Sequence, residues 1–234
     1  MHIYIYDNYV NNKKYDAVIA QVETRITDLG LNGKIIRLGL MKNIFTTVEN
    51  EIKYGAKTIT AVGNNKTFNQ VINAVLNTEI KNSMEINIPI GFIPIGQENN
   101  SIAEGLGIKE GEEACDALSA RRIEQLDVAK ANHVFFLSQA TISSQSTILE
   151  IAKNYSIEIL DPGEINIINL STAKIISDKI KSNPQDGILE LHIRTKKPKK
   201  LINLKTDQNQ SFFSLKKLTI KNNKLPLMVD NALE

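Results

Sequence analysis

The segment Val62-Gly63-Asn64-Asn65-Lys66-Thr67 joins an apolar stretch, KTITAVG, to a helix-forming pattern, TFNQVINAVLN. A strand that stops at Gly63 and a helix that begins near Thr67 place exposed backbone N–H groups and a positive helix end at one spot, which suits an anion such as a phosphate. Thr67 and Gln70 also have capping-box spacing, so the same residues read as a plain strand-to-helix connection with its first N–H groups satisfied internally. Lys66 is either a mobile cation able to meet a phosphate or a solvated loop lysine. A second segment, IPIGFIPIGQENNSIAEGLGI, also runs from a strand through a glycine turn, at Gly96, into a short helix. Two such turns belong to one site.

Other chemistries find less support. His2, His133 and His192 are far apart and each lies in a strand-like pattern, which argues against a histidine-rich zinc site. The serines of LSQATISSQST lack a G-x-S-x-G context, so the stretch reads as a polar loop entering a helix rather than a hydrolase elbow. Cys115 is the single cysteine, which excludes an internal disulfide and a cysteine-rich metal site. It reads as a small apolar residue on a helix.

The elements that must hold these turns alternate in the first half. HIYIY, KIIRL, KTITAVG and IPIGFIPIG have strand character. Tyr15, Val18, Ile19, Val22, Ile26 and Leu29 recur at helical spacing, as do the apolar residues of NIFTTVENEIKYG and TFNQVINAVLN. This predicts a mainly parallel sheet with helices on its faces, in which ligands bind at the carboxyl ends of the strands. From about Ile123 short strand-like pieces outnumber helices: RIEQLDV, HVFFLS, SIEIL, INIINL, GILELHIR, KLINLK and FFSLKKLTI. The expected organisation is an α/β domain over 1–122 and a smaller, mainly antiparallel β domain over 123–234.

Composition bounds the partners. With 28 Lys and Arg against 26 Asp and Glu, the formal charge is +2, and 42% hydrophobic residues suffice for a core. This balance does not favour nucleic acid. RTKKPKK reads as a solvated hairpin end in preference to an anionic-lipid contact. The start, MHIYIYDNYV, lacks the basic and continuously apolar pattern of a leader, and no stretch approaches the ~18 apolar residues of a membrane span. A cytoplasmic protein is expected, with a homodimer and transient membrane contact left open.

In this order, with LDV following and NPQDGILEL and VDNALE near the end, the chain resembles the diacylglycerol kinase catalytic family, bacterial lipid kinases related to sphingosine kinases, over nearly its whole length. The family's GGDGT turn, followed by a helix of the form LNEVVNGL, falls on Gly63, Asn64, Asn65, Lys66 and Thr67 followed by FNQVINAVL. Its P-x-G-T-x-N-D turn falls on Pro94, Gly96, Gln97, Asn99 and Asn100, with the threonine and aspartate replaced. Asp127 in LDV takes a carboxylate position at the opening of the β-rich domain. NPQDGILEL matches the segment that holds magnesium through Asp186 and oxygens of Asn183 and Ile188. The V-D-G-E ending falls on Val229, Asp230, Asn231 and Ala232. The glutamate that the resemblance casts as proton acceptor is either missing at Ala232 or displaced to Glu234.

The resemblance implies a fold of the NAD kinase and diacylglycerol kinase type, with ATP and Mg²⁺ as cofactors and a lipid hydroxyl or other small hydroxyl-bearing acceptor. Asp230 or Glu234 would then be catalytic. Read without the resemblance, Asp186-Gly187 is a hairpin turn signal and Asp127 a strand-edge aspartate pairing with Arg121 or Arg122. The change from GGDGT to GNNKT and the altered ending favour a pseudokinase that binds nucleotide, lipid or a protein partner. Asp127, Asp186 and Asp230 favour activity. Phosphorylation of another hydroxyl, such as that of NAD, is a more distant option, against which the match in the β-rich half argues. The short second half is expected to leave little material for a deep acyl-chain pocket of ~300 Å³ or more.

Overall fold

The computed structural model describes residues 1–39, 42–82, 87–96, 100–151, 155–171, 182–196, 208–222, 225–230 and 232–233. The chain forms two compact units, Met1–Glu124 and Gln125–Glu234. This division falls two residues beyond the boundary expected from composition.

In the first unit, strands β1 (His2–Tyr6), β2 (Gly33–Arg37), β3 (Thr58–Gly63) and β4 (Ile90–Pro94) form one parallel sheet in the order β2-β1-β3-β4. Helices α1 (Asp16–Asp28), α2 (Ile44–Lys53), α3 (Asn65–Asn82), α4 (Ser101–Gly105) and α5 (Glu112–Ser119) intervene or follow. The central strand β1 is buried at Ile3, Tyr4, Ile5 and Tyr6 alike, as a parallel strand covered on both faces must be. Ile19, Val22 and Ile26 form the stripe by which α1 packs on this sheet with Tyr4, Tyr6, Ile93 and Cys115. Tyr4 places its hydroxyl in that core by donating to the Leu31 carbonyl at 2.7 Å. Burial pushes this phenol up to about 12 and the Cys115 thiol up to about 11. Among the described residues, no helix is long and apolar enough to cross a membrane.

The second unit is antiparallel. A hairpin of β5 (Ala129–Ala131) and β6 (Val134–Phe136) leads into β7 (Gln139–Ser143), β8 (Thr147–Ile151), β9 (Tyr155–Ile159), β10 (Gly163–Ile168), β11 (Leu189–Lys196), β12 (Gln208–Leu215), β13 (Thr219–Lys221), β14 (Met228–Val229) and β15 (Ala232–Leu233). Six of these form a sheet in the order β12-β11-β10-β7-β14-β15, and three form a second sheet, β13-β8-β9. Ile142, Leu149, Ile165, Ile167, Leu191 and Ile193 from both sheets share one core. The alternation of β11 works as expected, with Leu191 and Ile193 in that core and Glu190 and Arg194 bonded to Ser214 and Glu164 on the other face. His192 departs from it: although on the polar face, the residue is buried and its ring stacks on Phe212 with centroids 4.7 Å apart.

Two sequence expectations are corrected. LSQATISSQST runs through strand β7 and into β8, crossing from the larger sheet to the smaller by a turn at Ser144–Ser146, because Ala140 and Ile142 alternate into the core while Ser146 accepts a φ of 57°. RIEQLDV is not a strand. Its backbone is committed to a loop, with the Asp127 N–H donating to the Pro184 carbonyl at 2.7 Å and the Gln125 carbonyl accepting from Gln185 at 3.0 Å. Strand KLINLK and the lysines at the end of RTKKPKK lie outside the described residues.

Candidate functional site

In the first unit the two glycine turns are neighbours. Strand β3 pairs with β4 so that Gly63 stands opposite Pro94, and the Ile95 N–H donates to the Gly63 carbonyl at 2.8 Å. Both turns therefore leave the sheet side by side at its carboxyl edge, where ligands of such sheets bind.

The first turn is built by close approach rather than by unusual backbone angles. A Cβ added at Gly63 would lie 2.5 Å from Thr67 Oγ1 and 3.2 Å from Asp7 Cβ, so no side chain fits between the strand end and the helix. Asn64 and Asn65 both avoid positive φ, so the asparagines in place of glycines carry no left-handed strain. Helix α3 starts at Asn65, two residues earlier than expected, and the capping box shifts with it. Asn64 Oδ1 accepts from the Thr67 N–H at 3.3 Å, while Thr67 Oγ1 takes the Asn64 N–H at 3.4 Å. The Thr67 hydroxyl also donates to Asp7 Oδ2, and Asp7 Oδ1 accepts from the Tyr9 N–H at 3.2 Å. A carboxylate from the end of β1 thus already sits at the positive start of α3. Lys66 is exposed and in no ion pair among the described residues.

Asn65, 2% exposed, fastens the first turn to the second. Its Nδ2 donates to Ser101 Oγ at 2.8 Å and its Oδ1 accepts from the Ile102 N–H at 3.1 Å, supplying the start of α4 with a partner. Gly96 has φ +85°, the left-handed region that favours glycine, and a Cβ there would stand 3.1 Å from the Tyr15 hydroxyl. The Tyr9 hydroxyl donates to the Ile95 carbonyl at 2.7 Å, and its ring meets Tyr15 edge to face. Asn100 donates to the Gly96 carbonyl and to Glu110. Gln97 and Asn99 lie outside the described residues.

In the second unit Asp127, Asn183, Asp186 and Ile188 come together in one loop cluster. Asp127 Oδ2 accepts from the Gly187 N–H at 2.6 Å, Asp186 Oδ1 accepts from the Ile188 N–H at 2.9 Å, and the Asp186 N–H reaches the Asn183 carbonyl at 3.4 Å. Asp127 therefore engages the loop of its own unit. The donors are hard oxygens, as Mg²⁺ requires, although among the described residues no group of three or more His, Cys, Asp and Glu gathers to hold a metal. Two carboxylates, carbonyl oxygens and water would make up such a shell.

Asp230 is placed differently from the role the resemblance implied. Its two carboxylate oxygens accept from the N–H groups of Leu137, Ser138 and Gln139 at 2.9–3.0 Å, and its own N–H donates to the Gln139 carbonyl. Its φ is 44° and it is 5% exposed. Burial raises its carboxyl above the usual range, against the three N–H donors that pull it down. A carboxylate so enclosed anchors β14 to the start of β7, with three of its roughly four acceptor sites taken by backbone donors. Glu234 lies outside the described residues.

The second unit also contains a cavity of about 800 Å³, which corrects the expectation of too little room. Its walls include Ala140, Ile142, Ile167 and Leu189 from the larger sheet and Ile220 from the smaller one, so the volume comes from the gap under the sheets and needs no added chain length. Asp127 and Gly187 border it. Sequence reasoning missed this cavity, as well as Asp7, Tyr9 and Ser101. A carboxylate directly after HIYIY, at a strand's carboxyl end, was a signal for Asp7.

Comparison with known proteins adds to this geometry. Residues 3–131 match the family model of the diacylglycerol kinase catalytic domain. The chain is similar in fold to crystal structures from Bacillus anthracis str. Sterne, one described as a diacylglycerol kinase and one as a putative diacylglycerol kinase. One is 16% identical with a TM-score of 0.75. Another is 15% identical with a TM-score of 0.76, and in each case the alignment covers 98% of this chain and 89% of that one. No curated protein matches the sequence.

Proposed function

Because the chain belongs to the diacylglycerol kinase catalytic domain family, we propose that it binds ATP at the paired turns of its first unit and transfers the γ-phosphate to a lipid hydroxyl. The observation that carries this reading is the apposition of Gly63 and Ile95, reinforced by Asn65, which brings the starts of α3 and α4 to one edge of the sheet. Phosphoryl transfer asks a protein mainly for positioning and charge stabilisation. The α3 start supplies backbone dipoles, and Lys66 supplies the positive charge that offsets Asp7 beside the phosphates. Asp127 and Asp186, with carbonyl oxygens of Asn183 and Ile188, would hold Mg²⁺, which neutralises phosphate charge when bound. The acyl part of the acceptor would enter the second unit's cavity, with Asp127 at its border. Glu234 is the carboxylate assigned to take the hydroxyl proton. Asp230 holds strands.

A second reading, a pseudokinase that binds nucleotide, lipid or a protein partner without transfer, is favoured by two observations. Asp7 places negative charge at the anion-accepting helix start, and Asp230 is buried and held by three backbone donors. One experiment separates the readings: thermal shift with ATP, with and without Mg²⁺, followed by radiolabel transfer from ATP to mixed lipids. A ligand that binds the native state raises its apparent stability. A Mg²⁺-dependent shift with transfer supports the kinase, a shift without transfer supports the pseudokinase, and no shift at saturating ATP removes both nucleotide readings.

A further inference from the structure

The cavity of the second unit has walls of one character and an opening of another. Ala140, Ile142, Ile167, Leu189 and Leu227 give it an apolar interior, whereas Lys130, Lys216 and Lys217 line it and are exposed, which puts their charges where it meets water. Lys130 belongs to β5 and lies over the Phe135 ring at 4.9 Å, while Lys216 and Lys217 form the turn from β12 to β13. Among the described residues none of the three is in an ion pair and the only acidic residue of the lining is Asp127, one oxygen of which already takes the Gly187 N–H. The chamber of about 800 Å³, lined also by Asn132, His133, Asn169 and Asn222, falls in the ~300–1,000 Å³ range typical of a site for one small ligand.

We infer that this cavity binds a single-chain amphiphile with an anionic head, its chain among Ile142, Ile167 and Leu189 and its carboxylate or phosphate monoester met by Lys130, Lys216 and Lys217. This deepens the lipid-acceptor part of the proposed function and rests on it for a place in a reaction. The binding itself requires no nucleotide. Chain burial supplies affinity, and three cations from two separate segments supply selectivity for the head. The cations are exposed, so the selectivity is greatest at low ionic strength and shrinks as salt shortens the Debye length to ~10 Å near 0.1 M.

The test uses the full chain without ATP. Fluorescence titration with cis-parinaric acid and with its methyl ester compares a charged and a neutral head on one chain. The acid is expected to bind at least tenfold more tightly at low salt, and reversing the charges in a K130E/K216E/K217E variant is expected to remove the difference while leaving the ester unchanged. Displacement of the probe by oleate, by oleoyl lysophosphatidate and by monooleoylglycerol distinguishes the heads: stronger displacement by lysophosphatidate than by oleate assigns a phosphate monoester, and equal displacement by both assigns any anionic head. Equal binding of acid and ester overturns the inference, as does unchanged acid affinity in the charge-reversed variant. Ala140→Trp, which fills the chamber, is expected to abolish binding of both probes. Ile220→Trp does the same from the other sheet should the first variant fail to fold, and unchanged binding in a folded tryptophan variant overturns the inference. Since no arm measures phosphoryl transfer, failure of the kinase reading leaves these results distinguishable.

Discussion

Asn65 donates from its side-chain amide to Ser101 Oγ at 2.8 Å, so the first residues of α3 and α4 are joined side chain to side chain. The Ile102 N–H depends on the other end of the same amide. Asn65→Ala removes both partners and leaves a buried N–H unpaired, for an expected loss of about 1–3 kcal/mol in urea unfolding. Asn65→Asp keeps the acceptor for Ile102, and the Ser101 hydroxyl turns to donate. Its loss is expected to be less than half that of alanine.

Lys66 is exposed and in no ion pair among the described residues, so its contribution to stability is small. Lys66→Ala is expected to leave unfolding within about 0.5 kcal/mol of the parent. If Lys66 offsets Asp7 beside bound phosphates, the same substitution weakens ATP about tenfold, or ~1.4 kcal/mol, in a thermal-shift titration. Equal ATP affinity in both proteins would make Lys66 a solvated loop residue.

Asp230 has the opposite profile. Asp230→Ala strips three backbone donors of their acceptor, and Asp230→Asn sets an NH₂ against at least one of them. Losses of about 3 and 2 kcal/mol are expected in denaturant unfolding, with the second unit affected irrespective of nucleotide. Full stability of Asp230→Ala would sink the anchoring role.

His192 predicts a pH dependence. Desolvation, followed by the Arg194 charge, lowers its pKa, while Glu164 and Gln210 act in the other direction. A base depressed in the folded state contributes stability above its unfolded pKa of ~6.5 and loses it as pH falls through the folded value. His192→Phe preserves the stack on Phe212 and removes a buried base. The variant is expected to melt at a temperature that changes less than the parent's as pH falls from 7 to 5.

What the sequence made legible follows from periodicity. Parallel strands buried on both faces and an amphipathic α1 leave repeats in HIYIY and in Ile19, Val22 and Ile26, and the pairing of β3 with β4 follows once both are parallel strands. Side-chain roles set by tertiary contacts left no such trace. Nothing local distinguishes Asn64, which caps α3, from Asn65, which reaches α4, or shows that Asp230 is enclosed by residues 91–93 positions away. The turn from β7 to β8 was hidden by its serines, because only Ala140 and Ile142 face the core in β7. The cavity arises from the separation of two sheets, which no single segment encodes.

The position of β1 has a consequence for biosynthesis. Its neighbours are Gly33–Arg37 on one side and Thr58–Gly63 on the other, so β1 is translated before both of the strands that flank it. A nascent chain exposes Ile3, Tyr4, Ile5 and Tyr6 at the ribosome with nothing to cover them until both later strands have emerged. During that interval β1 is a ready client for holdase chaperones, and a bulky insertion placed beside it would obstruct the closing of the sheet around it.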